Sequence, residues 1–285
     1  MRILPHELAF AALYAIVIVR LAAAPNGPAW SEIAIWCVFA ATSGLAVAWS
    51  SATESTLAWR IRLGAYLVLM NAAYSRMGAV HETIGTPMYD GALQAADRAL
   101  FGQPLPLYFD RWVSPAASQL LSACYFLLFP YIVIGCARQL WRFERSPDEA
   151  RRFFSGMFTV YGIGLLGYLL LPAAGPYIAM PDAFTRSISG GWMTALNDAA
   201  IRRGSNHVDV FPSLHIAVSA FFLGFDRRYA RWRFHMYAVP ATALWVSTLY
   251  LRYHYGIDVL CGFALAGLGL CVAFRDADTR QETAS

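Results

Sequence analysis

Apolar runs close to bilayer length recur along nearly the whole 285-residue chain, and that spacing limits its fold more than any other feature. A helix needs about 20 apolar residues to cross the hydrocarbon core. Such segments fall at about 9–24, 33–49, 63–80, 117–137, 153–172, 212–226, 236–251 and 258–274. Only 14% of the residues are charged, against about 25% in ordinary soluble proteins, while 58% are hydrophobic. Lipid leaves backbone polar groups unsatisfied unless they bond within helices or closed barrels. The expected fold is therefore all-α, a polytopic transmembrane helix bundle of about six to eight spans. Residues 1–80 would form N-terminal transmembrane helices, 81–116 an outer connector, 117–274 the helical core and 275–285 a cytoplasmic tail.

All 22 basic residues are arginine, because the chain has no lysine. Schiff-base chemistry and phosphate-loop lysines are thereby excluded, and with the abundant alanine this usage suggests a bacterial, GC-rich source. The arginines cluster at 60/62, at 138/142/145/151/152, at 227/228/231/233 and at 275/280. With eight spans and a cytoplasmic N-terminus all four clusters lie inside, as the positive-inside rule asks. Segments 25–32, 81–116, 173–211 and 252–257 then face the periplasm or exterior of an inner (cell) membrane. Basic groups divided in this way form no single patch, so no nucleic-acid partner is expected.

The five cysteines lie in or beside apolar segments without metal or haem-attachment spacing and read as packing residues. Arg20, Asn71 and Arg76 sit within apolar segments and should face protein or an interface. Met88 to Phe101 alternates apolar and charged residues at helical spacing, as an amphipathic surface helix does. Segment 173–211 is broken by proline and glycine. Tyr177, Trp192, Tyr250, Tyr253 and Tyr255 read mainly as interface anchors, with one or two free to line a pocket.

Two histidines stand out from this apolar background. His215 ends Phe211-Pro212-Ser213-Leu214-His215, and His254 lies in Arg252-Tyr253-His254-Tyr255-Gly256-Ile257-Asp258. Asp258 is four residues beyond His254, one helical turn away on the same face. Arginine bias places both histidines at the same extracytoplasmic interface. Phosphoryl transfer needs a nucleophile held by a base or carboxylate, an acid for the leaving oxygen, and donors for the phosphoryl oxygens. His254 with Asp258 can supply the first, and His215 the second. Ser213 at a helix start and the Arg252 fork are candidates for binding phosphate.

These motifs resemble the type 2 phosphatidic-acid phosphatase superfamily, most closely its inositol phosphorylceramide synthase-like branch. Leu214 stands where the wider superfamily has glycine, and Thr248 stands where its third motif has arginine. Ser247, His254 and Asp258 fall in that motif's register. The superfamily's first motif, which begins with lysine, has no counterpart, and Leu171-Pro172-Ala173-Ala174-Gly175-Pro176 occupies its place. Arg252, Arg186, Arg202 and Arg203 are candidates to replace its cations. The resemblance implies a phosphohistidine on His254, Asp258 as its partner, and His215 as acid and then base, with no metal or cofactor. It implies a phospholipid donor and a lipid alcohol or water as acceptor, hence a lipid phosphotransferase or a phosphatase. His207 and Asp209 either orient the histidines or form a turn. Outside this class, a bis-histidine haem protein or a transporter also fits intramembrane ionisable groups.

Overall fold

The computed structural model describes residues 3–53 and 55–282, with side chains through Arg275. It is a helical membrane bundle, without a strand among the described residues. Its helices are α1 (Pro5–Ala22), α2 (Trp30–Thr53), α3 (Thr56–Ile84), α4 (Asp90–Phe101), α5 (Pro106–Asp110), α6 (Pro115–Phe126), α7 (Leu128–Trp141), α8 (Pro147–Leu170), α9 (Pro176–Ala179), α10 (Trp192–Gly204), α11 (Leu214–Tyr229), α12 (Arg231–Tyr250) and α13 (Gly256–Glu282). Each of the eight apolar segments corresponds to a long helix or, for 117–137, to the adjoining α6 and α7. Five stretches are long and apolar enough to cross a membrane: α1, α2, the α6–α7 pair, α8 and α13 up to Arg275. The others are α3, which carries arginines, the 16-residue α11, and α12 with an internal Pro240.

Local signals set the helix ends. Proline opens α1, α6 and α8, where its missing N–H costs nothing. Ser55 caps α3 by accepting the Ala58 N–H at 3.1 Å, and left-handed Gly85 ends that helix.

Helix α8 is the hub, packed against α1, α3, α11 and α13. Its residues suit that place. A Cβ on Gly156 would lie 2.6 Å from the Gly269 carbonyl oxygen of α13, and one on Gly167 2.8 Å from the Phe211 carbonyl oxygen, so only hydrogen lets these segments approach. Phe153 packs on Phe221, Phe222 and Phe225 between α8 and α11, while Phe158 packs on His6 of α1 and Tyr66 of α3.

The arginines expected to face protein do so. Arg20 donates to the Leu169 carbonyl at 3.0 Å and to Thr86, and Arg76 pairs with Glu32. Fully buried Arg62 binds Glu7 and Ser50, tying α3 to α1 and α2. Asp226, bound by Arg233 and by the Tyr131 hydroxyl at 2.9 Å, ties α11, α12 and α7. The Arg62 and Arg233 pairs lie towards the arginine-rich end of the bundle, and the Arg20 and Arg76 contacts lie towards the opposite end, which carries the site.

Candidate active site

The two histidine motifs meet where α11 and α13 begin. Ser213 caps α11, its Oγ accepting the Ile216 N–H at 3.4 Å, and its own N–H donates to the Asp258 carbonyl at 3.3 Å. His215 is therefore the second residue of α11, and Asp258 the third of α13. The turn between α12 and α13 is wound so that the Tyr253 and His254 N–H groups both donate to the Thr248 carbonyl, at 3.0 and 3.2 Å. Arg252 takes a positive φ of 66° there, a conformation that non-glycine residues adopt only under external constraint.

The side chains form a line. Asp258 accepts the Tyr255 N–H at 2.8 Å and faces His254 Nδ1 at 3.6 Å. His254 Nε2 lies 3.3 Å from His215 Nδ1, and His215 Nε2 lies 2.6 Å from the Tyr125 hydroxyl of α6. Asp258 and His254 are buried, 0% and 2% exposed. Burial pushes the His254 pKa down from 6.5 to about 4, with the nearby Asp209 carboxylate opposing it. At neutral pH this imidazole is uncharged and can act as a nucleophile.

Three aspartates of the 81–116 segment frame this line. Asp90 accepts the Ala174 and Gly175 N–H groups, both at 2.9 Å, and the Tyr255 hydroxyl at 2.9 Å. Gly175 has φ 90°, and a Cβ there would stand 2.7 Å from the Tyr253 carbonyl oxygen. Asp97, fully buried, accepts the Gly256 and Ile257 N–H groups at 2.8 Å each and that of Leu105 at 2.9 Å. It thus caps α13 from another helix, immediately before Asp258. Asp110 holds the Thr185 N–H at 2.9 Å and Arg252 Nη2 at 2.9 Å. Burial raises the Asp110 pKa, but the bonds from Thr185 and Arg186 and the Arg252 charge outweigh it and leave the group below the usual range. The expected helix at 88–101 exists as α4, but its flank is built into the site.

Two cavities flank the line. One, of 590 Å³, runs between α3, α7, α8 and α10 and has His215, Asp209 and Tyr168 in its wall; otherwise it is largely apolar, with Leu67, Met70 and Ile132. Along α7 it is lined from Leu128 to Leu140, a rise of about 18 Å. The other, of 520 Å³, carries hydroxyl and charged groups, among them Ser187, Ser189, Thr194, Asp198, Arg252 and Tyr253, between apolar residues such as Phe184 and Leu251. The Tyr125 ring packs on Tyr253, with centroids 5.0 Å apart, and on His215.

His215, His254 and Asp258 are thus brought together as the motif spacing anticipated. Ser213 lies beside them with its hydroxyl engaged as the cap. Arg252 is committed to Asp110 and the Arg186 carbonyl through Nη2, and stacks on Phe184 at 4.0 Å. Arg186 donates to the Val113 carbonyl, and Arg202 pairs with Asp198. Among the described residues the groups acting on the two imidazoles are a phenol, carboxylates, the Val210 carbonyl and each other, with no arginine. Asp209 accepts from Tyr74 and from Ser205 at 2.8 Å, while His207 forms the turn with φ 58°. Tyr250 and Tyr255, read as interface anchors, are 3% and 0% exposed and pack inside the cap, while Trp192 is exposed. Tyr125, Asp90, Asp97 and Asp110 were not singled out by the sequence, since their partners next to the histidine motifs and in the 173–186 segment lie 75 to 165 positions away.

Searches of curated proteins and of solved structures returned no match. The family pattern of the PAP2 superfamily, whose members are phosphatases or phosphotransferases, matches residues 91–272. That span is well over half of the chain and runs from α4 through both histidine motifs. The chain belongs to the PAP2 superfamily.

Proposed function

We propose that the protein is a membrane lipid phosphotransferase that moves a phosphoryl head group from a phospholipid to a lipid alcohol through a phosphohistidine on His254. The observation that carries this reading is the charge of the site: two neutral imidazoles, with His215 in the wall of the apolar cavity and His254 next to Tyr253 of the hydroxyl-bearing one, and no cation on either imidazole among the described residues. A phosphate monoester brings close to two negative charges and three oxygens to be matched, and such sites use arginine, lysine or metal clamps. A phospholipid diester brings one charge. Its acyl chains suit the groove along α7, and its head group suits the hydroxyl-lined chamber beside Tyr253.

In the first half-reaction His254 Nε2 forms a bond to phosphorus, the bond from phosphorus to the lipid alcohol breaks, and His215 protonates the departing oxygen. In the second, His215 takes the proton of the acceptor hydroxyl, whose oxygen bonds to phosphorus as His254 leaves. Asp258 faces the Nδ1 side of His254 throughout. Ser213 and Arg252 serve phosphate binding, Ser213 through the α11 N-terminus and Arg252 through the nitrogens that Asp110 leaves free. The missing lysine and the Leu171–Pro176 turn favour the inositol phosphorylceramide synthase-like branch. Arginine bias favours an inner-membrane protein of a bacterium with its site on the periplasmic face.

The test uses purified protein in lipid vesicles with a phospholipid labelled in phosphate and head group, with and without a lipid alcohol. Acceptor-dependent movement of both labels together is expected. Release of label to water at the same rate without acceptor would replace the transferase with a hydrolase of the same fold, and retention of turnover in His254→Ala would remove the phosphohistidine.

A further inference from the structure

The line of hydrogen-bonding groups that contains the two histidines does not end at His215. We propose that Tyr125 is a positioning residue for the reaction: its hydroxyl fixes His215 in the tautomer whose Nδ1 proton faces His254. This rests on the phosphohistidine reading above for its kinetic consequence, but not for its structural content.

The tautomers follow from one carboxylate. Asp258 Oδ2 faces His254 Nδ1, and a carboxylate opposite an imidazole nitrogen favours a proton on that nitrogen. Neutral His254 then has a bare lone pair at Nε2. The atom 3.3 Å from it, His215 Nδ1, must carry hydrogen, because two lone pairs would repel. Neutral His215 is left with a bare Nε2, and the Tyr125 hydroxyl at 2.6 Å must donate to it. The donors therefore point one way, from Tyr125 to His215 to His254, with the Asp258 carboxylate 3.6 Å beyond His254 Nδ1. Tyr125 is 1% exposed and has His215 as its hydrogen-bond partner among the described residues. Its ring is clamped between His215, at 4.6 Å, and Tyr253, at 5.0 Å.

Orientation matters because His215 has two nitrogens and only one faces the nucleophile. With Nε2 occupied, the Nδ1 proton is the one offered where phosphorus must arrive. When that proton passes to the leaving oxygen, negative charge develops on the ring, and the Tyr125 hydroxyl donating to Nε2 stabilises it. In the second half-reaction the acceptor hydroxyl gives its proton back to Nδ1. Protons balance over the cycle, and the Tyr125 proton stays on its oxygen throughout.

The variant is Tyr125→Phe, which keeps the ring contacts and removes only the hydroxyl, compared with Tyr125→Leu, which removes the packing as well. The first readout is the ¹⁵N spectrum of histidine-labelled resting protein, with His215→Gln identifying the signals. The parent is expected to show one His215 tautomer, with Nδ1 protonated and Nε2 accepting a bond, and Tyr125→Phe a mixture. The second is turnover of the labelled phospholipid against pH. For Tyr125→Phe, kcat should fall about 100-fold with KM within about twofold, the usual scale for a proton-transfer contribution. The acid limb should also move to higher pH, because Nε2 becomes free to protonate. The groups that face His215 and shape that limb are His254, Asp209, Tyr125 and Tyr168, and all but Tyr125 are unchanged in the variant. A single unchanged His215 tautomer in Tyr125→Phe, or a kcat loss seen only in Tyr125→Leu, would overturn the proposal. If parent and variant turned over no phospholipid, the tautomer signals would still decide the role of Tyr125, and the function proposed above would be what failed.

Discussion

Asp97 gives the sharpest test of how the site is held, because one carboxylate carries three backbone N–H groups from two segments. Replacing it by asparagine preserves shape but turns one oxygen into a donor. If the amide oxygen takes the place of Oδ2, it keeps the bonds from Leu105 and Gly256, while its NH₂ confronts the Ile257 N–H. The loss is one charge-assisted bond, worth about 1.5–3 kcal/mol, together with a buried N–H left facing another donor. The carboxylate also sits at the positive end of α13, a further contribution of about 0.3–1 kcal/mol. Allowing for relaxation, Asp97→Asn should cost about 2–4 kcal/mol, and Asp97→Ala more, since all three donors lose their acceptor. Because His254 and Asp258 flank the residues Asp97 holds, a displacement of about 1 Å would reduce turnover about 100-fold. Equilibrium unfolding in mixed detergent micelles gives the first number, and labelled-phospholipid turnover on the same preparations gives the second. An Asp97→Asn protein within about 0.5 kcal/mol of the parent, the range of ordinary surface changes, with parental turnover, would refute the idea that α4 positions His254.

Three further outcomes are expected. His254 protonates near 6.5 when unfolded but only at about 4 when native. Its contribution to stability is therefore complete above pH 6.5 and is lost as pH falls towards 4, on the order of 3 kcal/mol. Comparing Tm against pH for the parent and His254→Gln isolates it, and equal slopes between pH 6.5 and 4 would show that burial does not depress this histidine. Gly167→Ala forces a methyl onto Pro212 and to within 2.8 Å of the Phe211 carbonyl oxygen. It should destabilise by about 1–3 kcal/mol as overpacked cores do, and an unfolding midpoint equal to the parent's would contradict the close approach of α8 to the first histidine motif. Ala137→Phe fills the apolar cavity well away from His215. It should raise KM for a long-chain phospholipid by about tenfold, about 1.4 kcal/mol, and leave a short-chain analogue unaffected; equal effects on both would remove the groove from substrate binding.

The eight helical segments were legible in the sequence because bilayer length is a one-dimensional property, read from runs of residues without knowing what they touch. The same holds for His254 and Asp258, four positions apart. What hydropathy could not separate was which helices are enclosed. Helix α8 is the hub because Gly156 and Gly167 allow backbone contact, and glycines in an apolar run look no different from those on a lipid face until a neighbour is known. Likewise α3 carries Arg62 inside the protein only because Glu7 and Ser50 come from two other helices to meet it. A lone arginine in an apolar run signals a partner, but not which one.

The frame around the histidines was illegible for a related reason, and that reason bears on how the site works. Asp90, Asp97 and Asp110 read as ordinary polar residues of a connector, since each bonds at least two backbone N–H groups, which every non-proline residue has. No side-chain pattern could therefore betray them. Their partners are nevertheless the Ala174-Gly175 turn, the first residues of α13 and the loop that holds Arg252, the pieces whose relative placement decides whether His254 meets His215. The carboxylates also account for the fate of Arg252. A phosphate-binding fork was a fair expectation from its position two residues before His254, but the Asp110 carboxylate takes one nitrogen and lowers the net charge the guanidinium offers. The acidic segment thus holds the residues next to His254 through Asp97 and weakens the nearest cation through Asp110. For the proposed reaction, such a site suits a singly charged diester, which needs less electrostatic help than a monoester, and its selectivity would come from the apolar groove and the hydroxyl-bearing chamber beside Tyr253.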